Sequence, residues 1–168
     1  SLLIHRKKAK ELYDAGKISE LNKLFNTHTR KLESYFEKGN FDLIRKKVGE
    51  LKIIYTKFDF VNDQLMYYDA KLLSVSKNEL KAQEKLEYLI QNYPNSPKLD
   101  NAIFLLAEMY FKTDENQKLI DIYGRLSGEN TVKHQFWLGN AYFNLGRYEE
   151  STNVFKTFTK DPEYGFKA

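Results

Sequence analysis

Residues 130–162 read NTVKHQFWLGNAYFNLGRYEESTNVFKTFTKDP, and their spacing decides the fold. Two amphipathic helical periods follow one another. Leu138, Gly139 and Tyr142 share a face of the first, and Tyr148, Ser151, Phe155 and Phe158 share a face of the second. Gly146 interrupts the pattern between them, and Asp161-Pro162 stops it. A small residue three positions before an aromatic lets a second helix cross closely, with the ring filling the space beside it.

The spacing recurs. Ala107 lies 32 residues before Gly139, and Leu106, Ala107 and Tyr110 repeat the first trio. Leu119, Tyr123 and Leu126 then take the second-helix places of Ser151, Phe155 and Phe158. Another 37 residues back stands Ala70, followed by Ala82, Leu86, Leu89 and Pro94. A weaker copy is RKLESYFEKGNFDLIRKKVGEL (30–51), where Leu32 replaces the small residue and Tyr35, Gly39, Phe41 and Val48 follow. The pattern L-[small]-x-x-Y, Gly, Y-x-x-[small]-x-x-x-F, D-P resembles the tetratricopeptide repeat. That resemblance implies an all-α fold, a right-handed α-solenoid of stacked helix-turn-helix repeats. It covers about two thirds of the chain and weakens toward the N-terminus. Residues 1–60 read as N-terminal helices with a degenerate repeat, and 61–168 as about three repeats followed by the start of a further helix.

Composition agrees. The 168 residues make about one domain, and a solenoid buries each unit against its neighbours instead of around one centre. Periodicity places helices at 2–14, 17–38 (one helix, or two joined near Asn26-Thr27), 40–58, 62–76, 79–93, 97–112, 115–126, 131–144 and 147–159. Gly16, Gly39, Pro94, Pro97, Gly128, Gly146 and Pro162 mark turns, Asn40 caps the third helix and Ser96 the sixth. Charged residues make up 30% of the chain and mean hydropathy is −0.62, so no window approaches the ~20 apolar residues that span a bilayer.

The chemistry-bearing residues are sparse. There is no cysteine, which removes thiol nucleophiles and thiolate metal sites. His5, His28 and His134 fall on different helices, and His134 reads as a surface or packing residue. No HExxH, G-x-S-x-G or phosphate-binding loop is present. The carboxylate pairs Asp59–Asp63 and Asp114–Glu115 stand at helix starts, where negative charge suits the helix dipole. The expectation is a protein with no catalytic site, no metal and no cofactor.

Charge is uneven. Residues 1–58 hold 14 Lys/Arg against 7 Asp/Glu, including Arg6, Lys7, Lys8, Lys10 and Arg45-Lys46-Lys47. We read this as a solvated helix face, because Glu11, Glu20, Glu33 and Glu37 are interleaved. Peripheral contact with an anionic membrane is the alternative. Nucleic acid is not expected, since exposed aromatics and Gly-rich loops are missing from the basic segment.

In tetratricopeptide domains the first helix of each pair lines a concave wall. The resemblance therefore implies a partner-binding set at fixed offsets from the small residue. These are Tyr67 and Lys71, Phe104 and Glu108, Phe136 and Asn140, with Ser74, Phe111 and Phe143 one turn on. Carboxylate-clamping members carry Lys and Asn at such places, and only Asn140 matches. Aromatics here suit an apolar helix or extended segment laid in a groove, or packing against the neighbouring repeat. The stretch YLIQNYPNSPKLDNAIFLLAEMYF (88–111) is similar to the bacterial cell-envelope branch of the family, which includes BamD-like and Tol-associated periplasmic proteins. It implies a non-catalytic scaffold binding a protein or peptide partner in the periplasm or envelope, in outer-membrane or envelope assembly. The alternative is the recognition portion of a larger peptidoglycan-processing or other enzyme complex.

Overall fold

Helical periodicity is realised along the chain. In a computed structural model, residues 1–126 and 132–159 are described. Their helices are α1 (Leu2–Asp14), α2 (Ile18–Glu37), α3 (Phe41–Tyr55), α4 (Asn62–Val75), α5 (Glu79–Asn92), α6 (Leu99–Lys112), α7 (Asn116–Tyr123), α8 (Val132–Asn144) and α9 (Tyr148–Thr159), with a 3-10 turn at Asp59–Val61. There is no strand among the described residues. The turn at Gly128, the side chain of Phe158 and the segment from Asp161-Pro162 onward lie outside them. The all-α, tetratricopeptide-like arrangement of consecutively packed helices is the one the spacing predicts.

The open question about 17–38 resolves as one continuous helix. Leu21, Phe25, His28, Thr29 and Leu32 keep an unbroken buried stripe through the Asn26-Thr27 pair. The threonine hydroxyls bond back to the helix itself, Thr27 to the Lys23 carbonyl at 2.9 Å and Thr29 to that of Asn26 at 3.2 Å. At the next start, the Asn40 side chain accepts from the Leu43 N–H at 3.2 Å, the expected N-cap. Ser96 does not cap the sixth helix: its Oγ accepts from the Lys98 N–H at 3.1 Å within the preceding turn, and the helix begins at Leu99 with Lys98 at the N-cap and no side-chain cap.

One turn is used five times. Gly16, Gly39, Lys77, Asp114 and Gly146 all adopt positive φ, between 57° and 73°, two residues past a helix end. In the last, the Gly146 N–H reaches the Phe143 carbonyl and the Arg147 N–H reaches that of Tyr142, both at 2.9 Å. The same pair of bonds recurs at the other four, closing each helix with a Schellman motif. The sequence shows only three of these turns, because Lys77 and Asp114 hold the left-handed conformation without being glycine. Asp114, expected at a helix start, is thus the turn residue. Left-handed backbone costs a β-carbon-bearing residue roughly 1–2 kcal/mol. Lys77→Gly is therefore expected to raise stability by about 1 kcal/mol, with a smaller gain for Asp114→Gly because short polar side chains tolerate this region. Urea titration of the three chains checks the order.

The chain divides into two compact units, Ser1–Ala82 and Gln83–Ala168. In the first, α3 packs on α1, α2 and α4, and α1 also packs on α2. Its core is built on Leu21, Phe25, Leu32, Ile44, Leu51 and Tyr55, each 0–1% exposed. In the second, α7 and α8 pack on α6 and on each other, and α9 packs on α8. The register residues are buried where the repeat puts them: Ala70, Ala82 and Ala107 at 0%, and Ser151 at 3%.

Candidate protein-interaction surface

A close crossing of α8 and α9 orders this surface. Ser151 Oγ of α9 donates to the Gly139 carbonyl of α8 at 2.8 Å. A Cβ on Gly139 would stand 2.7 Å from Cζ of Phe155 and 2.8 Å from its Cε1. Glycine is thus required by contact, not by backbone angle. Phe136 and Phe143 are seven residues apart, two helical turns, and therefore point the same way. They are 46% and 57% exposed. Phe136 leans toward Phe155 with centroids 6.4 Å apart, and Phe143 meets Tyr148 edge-on at 5.4 Å.

The α6 members are more engaged. Phe104 stacks face to face on His134 at 3.6 Å, and Phe111 lies nearly parallel to Trp137 at 6.0 Å. His134 and Trp137 meet edge-on at 5.2 Å, so two rings of α6 and two of α8 join the helices. Phe104 and Phe111 remain half-buried. Trp137 was not singled out by spacing, because it stands one place before Leu138, outside the repeat's fixed positions. Its signal is the i, i+3 relation to His134 on the face toward α6. Glu108 pairs with Lys112 at 2.8 Å along α6. Asn140 donates to its own helix at the Phe136 carbonyl, 2.8 Å away.

Tyr67 and Lys71 belong to the first unit and sit differently. Tyr67 is 4% exposed and meets Tyr68 edge-on at 5.1 Å. Burial and the Glu33 carboxylate push its phenol above the ordinary range. The Lys71 ammonium donates to Glu33 at 2.6 Å and lies 4.5 Å from the centre of the Phe36 ring. Both side chains are thus already engaged, Lys71 with Glu33 and Phe36 of α2 and Tyr67 with Tyr68. Ser74, on the next turn of α4, is half-buried.

Among the described residues, no group of three or more His, Asp or Glu is placed to hold a metal ion, and no helix is long and apolar enough to cross a membrane. Glu115 pairs with Lys118 and accepts from Thr113 Oγ1 at 3.0 Å, which holds its carboxyl below the usual range. That is the electrostatics of a helix start.

No family model matches the chain, and no solved structure matches it significantly. One curated protein is similar, the TPR repeat-containing protein YpiA of Bacillus subtilis (strain 168), 29% identical over 103 residues. The alignment takes in 60% of this chain but 23% of that protein. The chain thus spans about a quarter of the length of its relative. Repeat spacing, consecutive helix packing and this similarity agree on one description, a tetratricopeptide-like helical repeat.

Proposed function

We propose that the protein is a non-catalytic interaction module that holds an apolar segment of a protein partner against the wall formed by α6 and α8. The observation that carries this is the pair of exposed rings, Phe136 and Phe143, on one face of α8. Beside them are the half-buried Phe104 and Phe111 of α6. Large aromatics left half in water beside packed rings are what an interface anchor looks like before its partner arrives. Asn140, between them on the helix, and Glu108 supply the polar rim. Tyr67 and Lys71 act in this reading as packing for α4, since their contacts are already made.

Each anchor is expected to contribute more than about 1 kcal/mol to capture. Phe136→Ala and Phe143→Ala should weaken binding while helical content by circular dichroism stays near wild type. Phe104→Ala should weaken it too but also lower stability, because the His134 stack is lost. Charge reversal at Lys7, Lys8 and Lys46 is the contrast. If those reversals abolish capture while the aromatic changes leave it intact, the wall reading is wrong.

The Y-P-N-S-P turn at 93–97 supports placing the module in a bacterial envelope, which fractionation of cells expressing the natural chain tests. The longer relative supports a second reading, in which the repeats are the recognition portion of a larger protein.

A further inference from the structure

A pocket of about 250 Å³ opens between α1 and α3, wholly within residues 1–82. Its apolar wall is Tyr13 and Phe58, whose rings lie 4.6 Å apart, together with Ile53. Tyr13 and Ile53 are 40% and 53% exposed, so this wall is open to solvent. Three cations, Arg6, Lys10 and Lys57, line the same pocket. Lys10 is paired with Asp14. Arg6 and Lys57 have no ion-pair partner among the described residues, whereas Lys7, Lys10 and Lys52 meet Glu11, Asp14 and Asp69.

We propose that this pocket is a docking site for an acidic peptide segment, one that inserts an apolar side chain between Tyr13, Ile53 and Phe58 and sets its carboxylates on Arg6 and Lys57. Charge complementarity supports an anion. The pocket sits in the stretch where Lys/Arg outnumber Asp/Glu by 14 to 7, and its one carboxylate is already neutralised. An arginine with a free fork is suited to bidentate carboxylate binding. The concavity favours a peptide over a bilayer. Arg6, Lys10 and Tyr13 recur at helical spacing on one face of α1, whereas Lys7 and Lys8 are rotated roughly 100° and 200° away. A flat anionic surface would recruit cations regardless of the cavity; a side chain entering the cavity selects the ones around it.

This site shares no residue with the α6–α8 wall, so the two stand or fall independently. The test uses the whole chain and a fluorescent octapeptide, blocked at both ends, that alternates glutamate with leucine and phenylalanine. Binding is read by anisotropy at low and high salt. The wild type should bind, more weakly as salt rises. Arg6→Glu with Lys57→Glu should raise Kd at least about tenfold. Lys7→Glu with Lys8→Glu, the same change of charge outside the pocket, should raise it less than about threefold. Phe136→Ala and Phe143→Ala should leave it unchanged. In the unaltered chain, peptide addition should shift the methyl signals of Ile53 and Ile54. Equal losses from the two charge reversals, no binding by the wild type, or silent isoleucine methyls would each overturn the proposal. So would binding to phosphatidylglycerol vesicles that needs Arg6 and Lys57 while the peptide is ignored, which assigns the surface to a membrane.

Discussion

Gly139→Leu will lower the stability of the protein by about 1–3 kcal/mol, the usual cost of overpacking a close contact. Two effects oppose each other at this site. Replacing a mid-helix glycine by a better helix former gains roughly 0.5–1 kcal/mol in propensity. Against that, the first added carbon already meets the Phe155 ring at 2.7 Å, and three more carbons must follow. The contact wins, because α9 cannot retreat without stretching the 2.8 Å bond from Ser151 to the Gly139 carbonyl. The partner of the clash is a side chain, so the effect is correctable. Gly139→Leu combined with Phe155→Ala should lose less than the sum of the two single changes, a coupling measurable by denaturant titration. Ala107→Leu, at the same register place on α6 and 0% exposed, should show a penalty of the same order. Melts unchanged by both substitutions would remove the register on which the fold assignment rests.

The second large effect is pH-driven and belongs to the first unit. His28 of α2 is 6% exposed, with its Nδ1 3.4 Å from the Tyr55 hydroxyl and its ring 4.8 Å from that of His5. Burial lowers its pKa from 6.5 to about 4, helped by the Lys47 ammonium, His5 and Lys31 and opposed by Glu50. The folded chain therefore keeps His28 neutral while the unfolded chain takes up a proton below pH 6.5. Between pH 6.5 and about 4 the unfolded state binds more protons, so stability falls as pH falls. Above pH 6.5 the contribution is fully present. Relative to pH well above 6.5, the loss at pH 5 should be about 2 kcal/mol, at 1.36 kcal/mol per unit. Stability curves of the wild type and His28→Gln should diverge across that window and run parallel above it. Nuclear magnetic resonance titration of His28 should show no protonation until well below pH 6; a midpoint near 6.5 would contradict the burial argument.

Much of the fold was legible because helices here are spelled by period. The Leu138–Gly139–Tyr142 trio and its copy at Leu106–Ala107–Tyr110 mark close crossings, and a residue small enough for a crossing is visible in a sequence. Turns were legible only where glycine makes them. Lys77 and Asp114 build the same left-handed turn with side chains that carry no such mark, since the surrounding helices impose the conformation. Of the surface, Phe136 and Phe143 could be placed by counting seven residues. The engagement of Phe104 with His134 and of Phe111 with Trp137 could not, because a stack between α6 and α8 depends on how far one helix slides past the next. Tyr67 shows the same limit: its offset from Ala70 equals that of Phe136 from Gly139, yet it is closed in by Tyr68 and the Lys71–Glu33 pair.

The central claim is that the exposed face of α8 is where a partner lies, and site-specific photo-crosslinking tests it directly. Benzoylphenylalanine placed at Phe136 or Phe143 in cells should yield a crosslink to one and the same protein. Leu80 and Tyr88 of α5, exposed at 69% and 53%, are apolar positions at least about as accessible. The account predicts that the crosslink forms from the two α8 positions and not from the two α5 positions. Crosslinks from Leu80 and Tyr88 with none from Phe136 and Phe143 would contradict it.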